Sequence, residues 1–173
     1  SKRSILGIYK KLGYILTIFV AVSIDYLIFK FAKEIGLTCF IDTNGSTDLR
    51  EHPELMALTD GIMLDIKVWD KETHRKYIKA DNDMVLKNLD YLVDCGKLYE
   101  VRTVIVPELF NNEETIREVS KKISGHNIRY KLIKYRHLGV RKNHLNMQTP
   151  TNDDMKNLES IAHNLGVLNT IIV

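Results

Sequence analysis

Gly61-Ile62-Met63-Leu64-Asp65-Ile66-Lys67 is the stretch from which the fold can be read. It is an apolar run ending in two charges. Side chains alternate across a β-strand, so Ile62, Leu64 and Ile66 face one way and Met63, Asp65 and Lys67 the other. The first set predicts a buried face. The second places a carboxylate and an ammonium two residues apart on the opposite face, at the strand's C-terminal end. In parallel α/β folds ligands bind beyond that end. An ordinary ion pair where a strand runs out into solvent is the other reading, and this stretch alone does not choose between them.

On its N-terminal side, Thr38-Cys39-Phe40-Ile41 reads as a strand, with Asp42-Thr43-Asn44-Gly45 as the turn at its end. Before it, Asp25 is expected to cap a helix running to about Ile35 and stopped by Gly36. A short helix is expected around Pro53 to Leu58. On the C-terminal side, Lys71 to Ile78 reads as a short exposed helix. Met84 to Cys95 has helical spacing at Val85, Leu89, Leu92 and Val93 and closes at Gly96. Tyr99 to Val106 is a third β-rich run, stopped by Pro107. Asn112 is expected to cap a helix with Ile116, Val119 and Ile123 on one face. Ile128 to Tyr135 is a fourth strand. Thr151 caps the last helix, whose buried side carries Met155, Leu158, Ile161, Ala162 and Leu165. Gly166 ends it, and Val167 to Val173 is a candidate final strand. Strands alternating with helices of this length predict βαβ units, a parallel sheet and right-handed crossovers. Too few strands are visible for a closed barrel.

A chain of 173 residues is long enough for one domain with a real core. Hydrophobic content of 45% and charged content of 27% fit a soluble globular protein. A net charge of +3 does not by itself call for nucleic acid. Lys131, Lys134, Arg136, Arg141 and Lys142 with Tyr130 and Tyr135 form a basic-aromatic cluster, but lysines alternating out from a strand explain it as well, and nucleic acid is not expected. Two cysteines, Cys39 and Cys95, are no disulfide framework and suit a reducing, cytoplasmic setting. They are expected to be buried small hydrophobes. The six histidines show no zinc spacing, and no phosphate-binding loop or nucleophile elbow is present. Lys2, Arg3, Lys10 and Lys11 precede an apolar run from Tyr14 to Ile24, which imitates a signal or anchor. That run falls short of the ~20 apolar residues a membrane span needs, so membrane tethering through 14–24 is the minor reading.

Polar groups recur at the strand ends: Asp42, Thr43 and Asn44 from the first, Asp65 and Lys67 from the second, His137 after the fourth. Arg102 lies earlier in the third. Three polar strand ends on one rim are a better sign of a pocket than one, and two aspartates beside a threonine hydroxyl can hold a hard cation. A loop-rich rim with satisfied caps is the competing reading. Trp69 could cover such a pocket, although a packing role is the simpler expectation.

Four ordered segments carry a resemblance: Ile41-Asp42-Thr43-Asn44-Gly45, Met63-Leu64-Asp65-Ile66-Lys67, Val101-Arg102-Thr103-Val104-Ile105-Val106-Pro107 and Tyr135-Arg136-His137-Leu138-Gly139. Together they resemble the glycyl-radical enzyme activating proteins, radical S-adenosylmethionine (SAM) enzymes of the pyruvate formate-lyase activase type. The resemblance runs from about Ile24 to Val173. It implies an α/β fold, a partial (β/α) barrel of the TIM-barrel-like radical SAM kind lacking the first strands. SAM would lie across the strand ends. By position it implies SAM contacts from Asp65, Ile66, Lys67 and His137, an arginine facing the site at Arg102, and a monovalent cation at Asp42, Thr43 and Asp65. The implied activity is reductive SAM cleavage that places a glycyl radical on a partner enzyme, with a [4Fe-4S] cluster and an electron donor such as flavodoxin.

The chain departs from that pattern in two places. The family's CxxxCxxC loop, whose three thiolates bind the cluster, is missing. The Gly-Gly-Glu segment that receives the SAM amino group should fall just before Ile24, where Thr17-Ile18-Phe19-Val20-Ala21-Val22-Ser23 stands instead. Residues 1–23 are therefore an unmatched basic and apolar segment, and residues 24–173 the C-terminal part of the barrel. The expectation is a truncated or frame-disrupted relative, an inactive fragment with no iron-sulfur ligands of its own. A catalytically dead SAM- or partner-binding module is the alternative.

Overall fold

Five short strands, each preceded or followed by helix, form one parallel sheet in a computed structural model that describes residues 24–136 and 147–173. The chain divides into two units, residues 1–39 with 50–60, and residues 40–49 with 61–173.

In the first unit, residues 24–34 are helical (α1) and Pro53–Leu58 forms α2. Ile24 is already helical, so Asp25 lies inside α1 rather than capping it. Asp60 ties this unit together: its carboxylate accepts from the Cys39 backbone N–H at 2.6 Å and pairs with Lys33.

The second unit holds β1 (Phe40–Thr43), β2 (Gly61–Asp65), β3 (Leu98–Ile105), β4 (Arg129–Lys134) and β5 (Thr170–Ile172). Their order in the sheet is their order in the chain, and every neighbouring pair is parallel. Such an arrangement requires a crossover after every strand. Between β2 and β3 the chain runs through α3 (Lys71–Ile78) and α4 (Asp83–Asp94), between β3 and β4 through α5 (Asn112–Ile123), and between β4 and β5 through α6 (Asn152–Asn164); α2 falls between β1 and β2 in sequence. Among the described residues β1 and β5 remain edges, so this is an open arc of a (β/α) barrel.

Alternation sorts the sheet into two faces. Ile62, Leu64 and Ile66, Val101 and Ile105, and Tyr130 and Leu132 are all buried. They form one face of the core with Leu89 and Leu92 of α4, Ile116 and Val119 of α5 and Met155 and Ala162 of α6, which are buried too. Each such side chain contributes ~1.5–3 kcal/mol by leaving water. The opposite face is polar and only partly covered.

Several local details differ from expectation. Asn111, not Asn112, caps α5 by accepting from the Glu114 N–H. The Asn112 side chain instead bonds the backbone N–H and C=O of Val106, bracing the end of β3. Helix α6 begins as expected, with a reciprocal capping box between Thr151 and Asp154. Cys39 is buried, but Cys95 is exposed, because it sits past the end of α4's apolar stripe. The register between β2 and β3 slips by one residue, so Ile62 pairs with Leu98 and Met63 with Glu100. Tyr99 is the extra residue, and it packs edge-on against Phe40 with centroids 4.8 Å apart. Gly61 lies beneath the two rings; a Cβ there would come within 2.6 Å of Phe40.

Candidate functional site

The polar face is assembled by register. Asp42 pairs with Met63, Met63 with Glu100, and Glu100 with Arg129; one row higher, Asp65 pairs with Arg102 and Arg102 with Lys131. Registered residues in a parallel sheet share a face. Three carboxylates and three cations are thus set side by side by four different strands.

Arg102 lies at the centre of the upper row. Its Nη2 donates to Asp42, and its Nε lies 2.9 Å from Asp65 Oδ1 without hydrogen-bond alignment. Hydrogen bonding to Asp42, helped by the charges of Asp65, Asp42 and Glu100, holds the guanidinium above its ordinary pKa despite partial burial. Glu100 is only 1% exposed. Its two oxygens take Lys131 at 2.9 Å and Arg129 at 3.3 Å. A buried carboxylate is costly unless paired and hydrogen-bonded, and here both oxygens are engaged.

Ile66 is buried on the core face. Its N–H donates to Arg102 O at 2.9 Å and its carbonyl accepts from the Thr103 hydroxyl at 2.8 Å. The buried Tyr130 hydroxyl lies 3.1 Å from that hydroxyl, and burial pushes its phenol pKa up. Lys67 lies beyond the end of β2, on the side of Met63 and Asp65. It lines a mainly apolar cavity of about 320 Å³ with Val104, Val106, Phe110, Tyr135 and Met147. Among the described residues no carboxylate pairs with Lys67, so its ammonium is the cation this cavity offers to a ligand.

Of the residues singled out from sequence, Asp42, Asp65 and Arg102 are brought together, and Lys67 stands next along the same face. Thr43 is on the other face: it registers with buried Leu64, and its hydroxyl accepts from the Gly45 N–H at 3.0 Å. A cation at Asp42 and Asp65 would have to take the place of the Arg102 guanidinium. Ile66 can reach the polar face only through its backbone. His137 lies outside the described residues, as do residues 14–23 of the apolar run. Among the described residues no three His, Cys, Asp or Glu side chains are grouped to hold a metal, and no helix is long and apolar enough to cross a membrane. Two cysteines cannot supply the three thiolates of a site-open [4Fe-4S] cluster, so this chain's residues do not fit that group. Glu100, Arg129 and the pairing of Lys131 were not anticipated; the signal was a glutamate two residues before Arg102 in a β-rich run.

No protein-family model matches the chain. It is 29% identical over 157 residues to the pyruvate formate-lyase-activating enzyme of Streptococcus mutans, which covers 80% of this chain and 60% of that protein. It is 28% identical over 119 residues to the pyruvate formate-lyase 1-activating enzyme of Escherichia coli K12, covering 66% of this chain and 48% of that one. The chain therefore spans about half to three-fifths of the length of these curated relatives. A solved domain of a pyruvate-formate lyase-activating enzyme from Bacteroides vulgatus superposes with a TM-score of 0.75 at 20% identity, covering 89% of this chain and 92% of that domain. That likeness carries the fold. The resemblance to glycyl-radical enzyme activating proteins and the partial barrel expected from it both stand.

Proposed function

We propose that this chain carries the rim of a SAM site from a glycyl-radical enzyme activase and, as the polypeptide described, does not itself perform the reductive step. The observation that carries the reading is Lys67 lining a mainly apolar cavity, on the same face as the Asp42–Arg102–Asp65 cluster and just past the C-terminal end of β2. SAM, when bound in a complete enzyme of this kind, supplies the group that abstracts hydrogen from a glycine of the partner. In this chain Lys67 would hold the carboxylate of the ligand. Val104, Val106 and Tyr135 would exclude water from its apolar part. Asp65, 2.9 Å from Arg102 Nε, would keep the rim preorganised. His137 is assigned to the same ligand by its sequence position.

No step is assigned through a cluster, because the thiolates for it are not in this chain. The partner would be a glycyl-radical enzyme, the electron donor of the complete system a flavodoxin-like protein, and the compartment the cytoplasm. Calorimetric titration with SAM, on the chain and on Asp65→Ala, tests the proposal. Losing a charged hydrogen-bonded contact costs ~2 kcal/mol or more, so a site lacking two such contacts binds at least ~10³-fold more weakly than a complete one. The expected result is weak binding that Asp65→Ala abolishes. Micromolar binding, equal binding in both proteins, or a stoichiometric SAM-responsive cluster after anaerobic iron-sulfide reconstitution would each overturn it.

A further inference from the structure

Helix α4 carries two asparagines that work against its own local preferences. Asn82 stands at the N-cap, where an asparagine ordinarily accepts from a backbone N–H of the first turn. It makes no such bond. Its amide instead donates to Trp69 O at 2.6 Å and reaches Val68 O at 3.4 Å, while Oδ1 is buried without a hydrogen-bond partner among the described residues. Asn88 sits mid-helix, a position that disfavours asparagine, and is 1% exposed. Its amide donates to Gly45 O at 2.9 Å and Thr47 O at 2.7 Å, and its Oδ1 accepts from Leu49 N–H at 3.2 Å.

These two loops are the ones that follow β2 and β1. Val68 and Trp69 come directly after Lys67, and Asn44 to Leu49 directly after Asp42 and Thr43. The contacts are close. Gly45 adopts φ +70, and a Cβ there would meet Leu64 at 2.8 Å and the Val85 backbone of α4 at 3.3 Å. The Trp69 N–H is held by the Thr115 hydroxyl of α5 at 3.0 Å. A buried polar residue that forgoes its local role is explained by the tertiary bonds it makes instead.

We propose that α4 is a two-point clamp in which Asn88 and Asn82 are positioning residues for the two halves of the ligand rim. Asn88 sets the Asp42–Thr43 end and Asn82 sets the Lys67 end. This rests on the reading that the rim receives SAM, but the clamp itself has a separate readout. The two asparagines are six residues apart, ~9 Å along the helix, so each should act on its own loop.

The test uses the full chain labelled with ¹⁵N, with Asn88→Ala and Asn82→Ala, or Asn88→Asp and Asn82→Asp where an alanine variant does not fold. Either aspartate keeps an acceptor and removes the donors. Loss of the clamp in Asn88→Ala is expected to speed amide exchange at Gly45 and Leu49 at least about tenfold and to leave Trp69 nearly unchanged. Asn82→Ala should do the reverse and shift Trp69 fluorescence. Each variant should also raise the SAM concentration at half-saturation of the Asp65 and Lys67 amide shifts by about fivefold or more. Equal loosening of both loops in both variants would mean that the asparagines only stabilise the fold, and would overturn the proposal. Loop-selective loosening with unchanged SAM affinity would overturn it as well. A parent chain whose amides do not respond to SAM would reject the SAM reading of the rim, and the exchange pattern alone would then decide the clamp.

Discussion

Replacing Glu100 by glutamine keeps the shape of the side chain and removes one buried negative charge. In the folded protein that carboxylate stands 2.9 Å from Lys131, 3.3 Å from Arg129 and 3.9 Å from Arg102. Removing one partner of a buried pair costs ~3–5 kcal/mol where the remaining charge cannot reach water. Here the cations can partly do so, because their side chains are 26%, 34% and 18% exposed. Exposed pairs are worth at most ~1 kcal/mol, so the expected cost lies between the limits, about 2–3 kcal/mol. For a chain of this length that corresponds to a fall of roughly 5–10 °C in Tm. Urea unfolding followed by the fluorescence of Trp69, the single tryptophan, measures it. The loss should shrink in the double variant Glu100→Gln, Lys131→Met, where a cation left unpaired is removed too. A Glu100→Gln protein within ~0.5 kcal/mol of the parent would refute the claim that this carboxylate organises the polar face.

Burial holds the Tyr130 phenol un-ionised, raising its pKa above the ordinary 10.0, so its contribution is complete below that pH and is lost as the pH rises beyond it. Tyr130→Phe should therefore move alkaline unfolding, followed by circular dichroism, to higher pH, at a neutral-pH cost of ~1 kcal/mol for the hydrogen bond to Thr103. Gly61→Ala should destabilise by ~1–3 kcal/mol in urea unfolding, because the added methyl collides with Phe40 and with Tyr99, 2.9 Å away. On the surface, Arg75 holds the Asp81 carboxyl at about 2, so this pair supports the fold above the ordinary carboxylate value of 3.8 and stops doing so as the pH falls toward 2. In Arg75→Ala the Asp81 titration followed by NMR should return toward that ordinary value.

The resemblance and the face assignments were legible in the linear chain because they depend on residues close in sequence. Ile62, Leu64 and Ile66 had to share a face, opposite Asp65 and Lys67, because a strand alternates. Val85, Leu89 and Leu92 had to form one stripe because a helix turns every 3.6 residues. Thr151 announced a helix start because a threonine hydroxyl can cap the first turn. Asn112 misled because Asn111 beside it has the same chemistry, and which of the two caps depends on the turn entering α5. What joins strands was not legible. The slip that leaves Tyr99 over Gly61, the burial of Glu100 among Lys131, Arg129 and Arg102, and the wedging of Arg102 between Asp42 and Asp65 depend on the register between strands 20 to 60 residues apart in the chain. Thr43 and Asp42 are neighbours in sequence, yet alternation in β1 sends them to opposite faces, and only pairing with β2 shows which one meets the arginine. The chemistry of the rim could thus be named from the sequence, while its wiring, which decides what each charge is free to bind, was set by tertiary contacts.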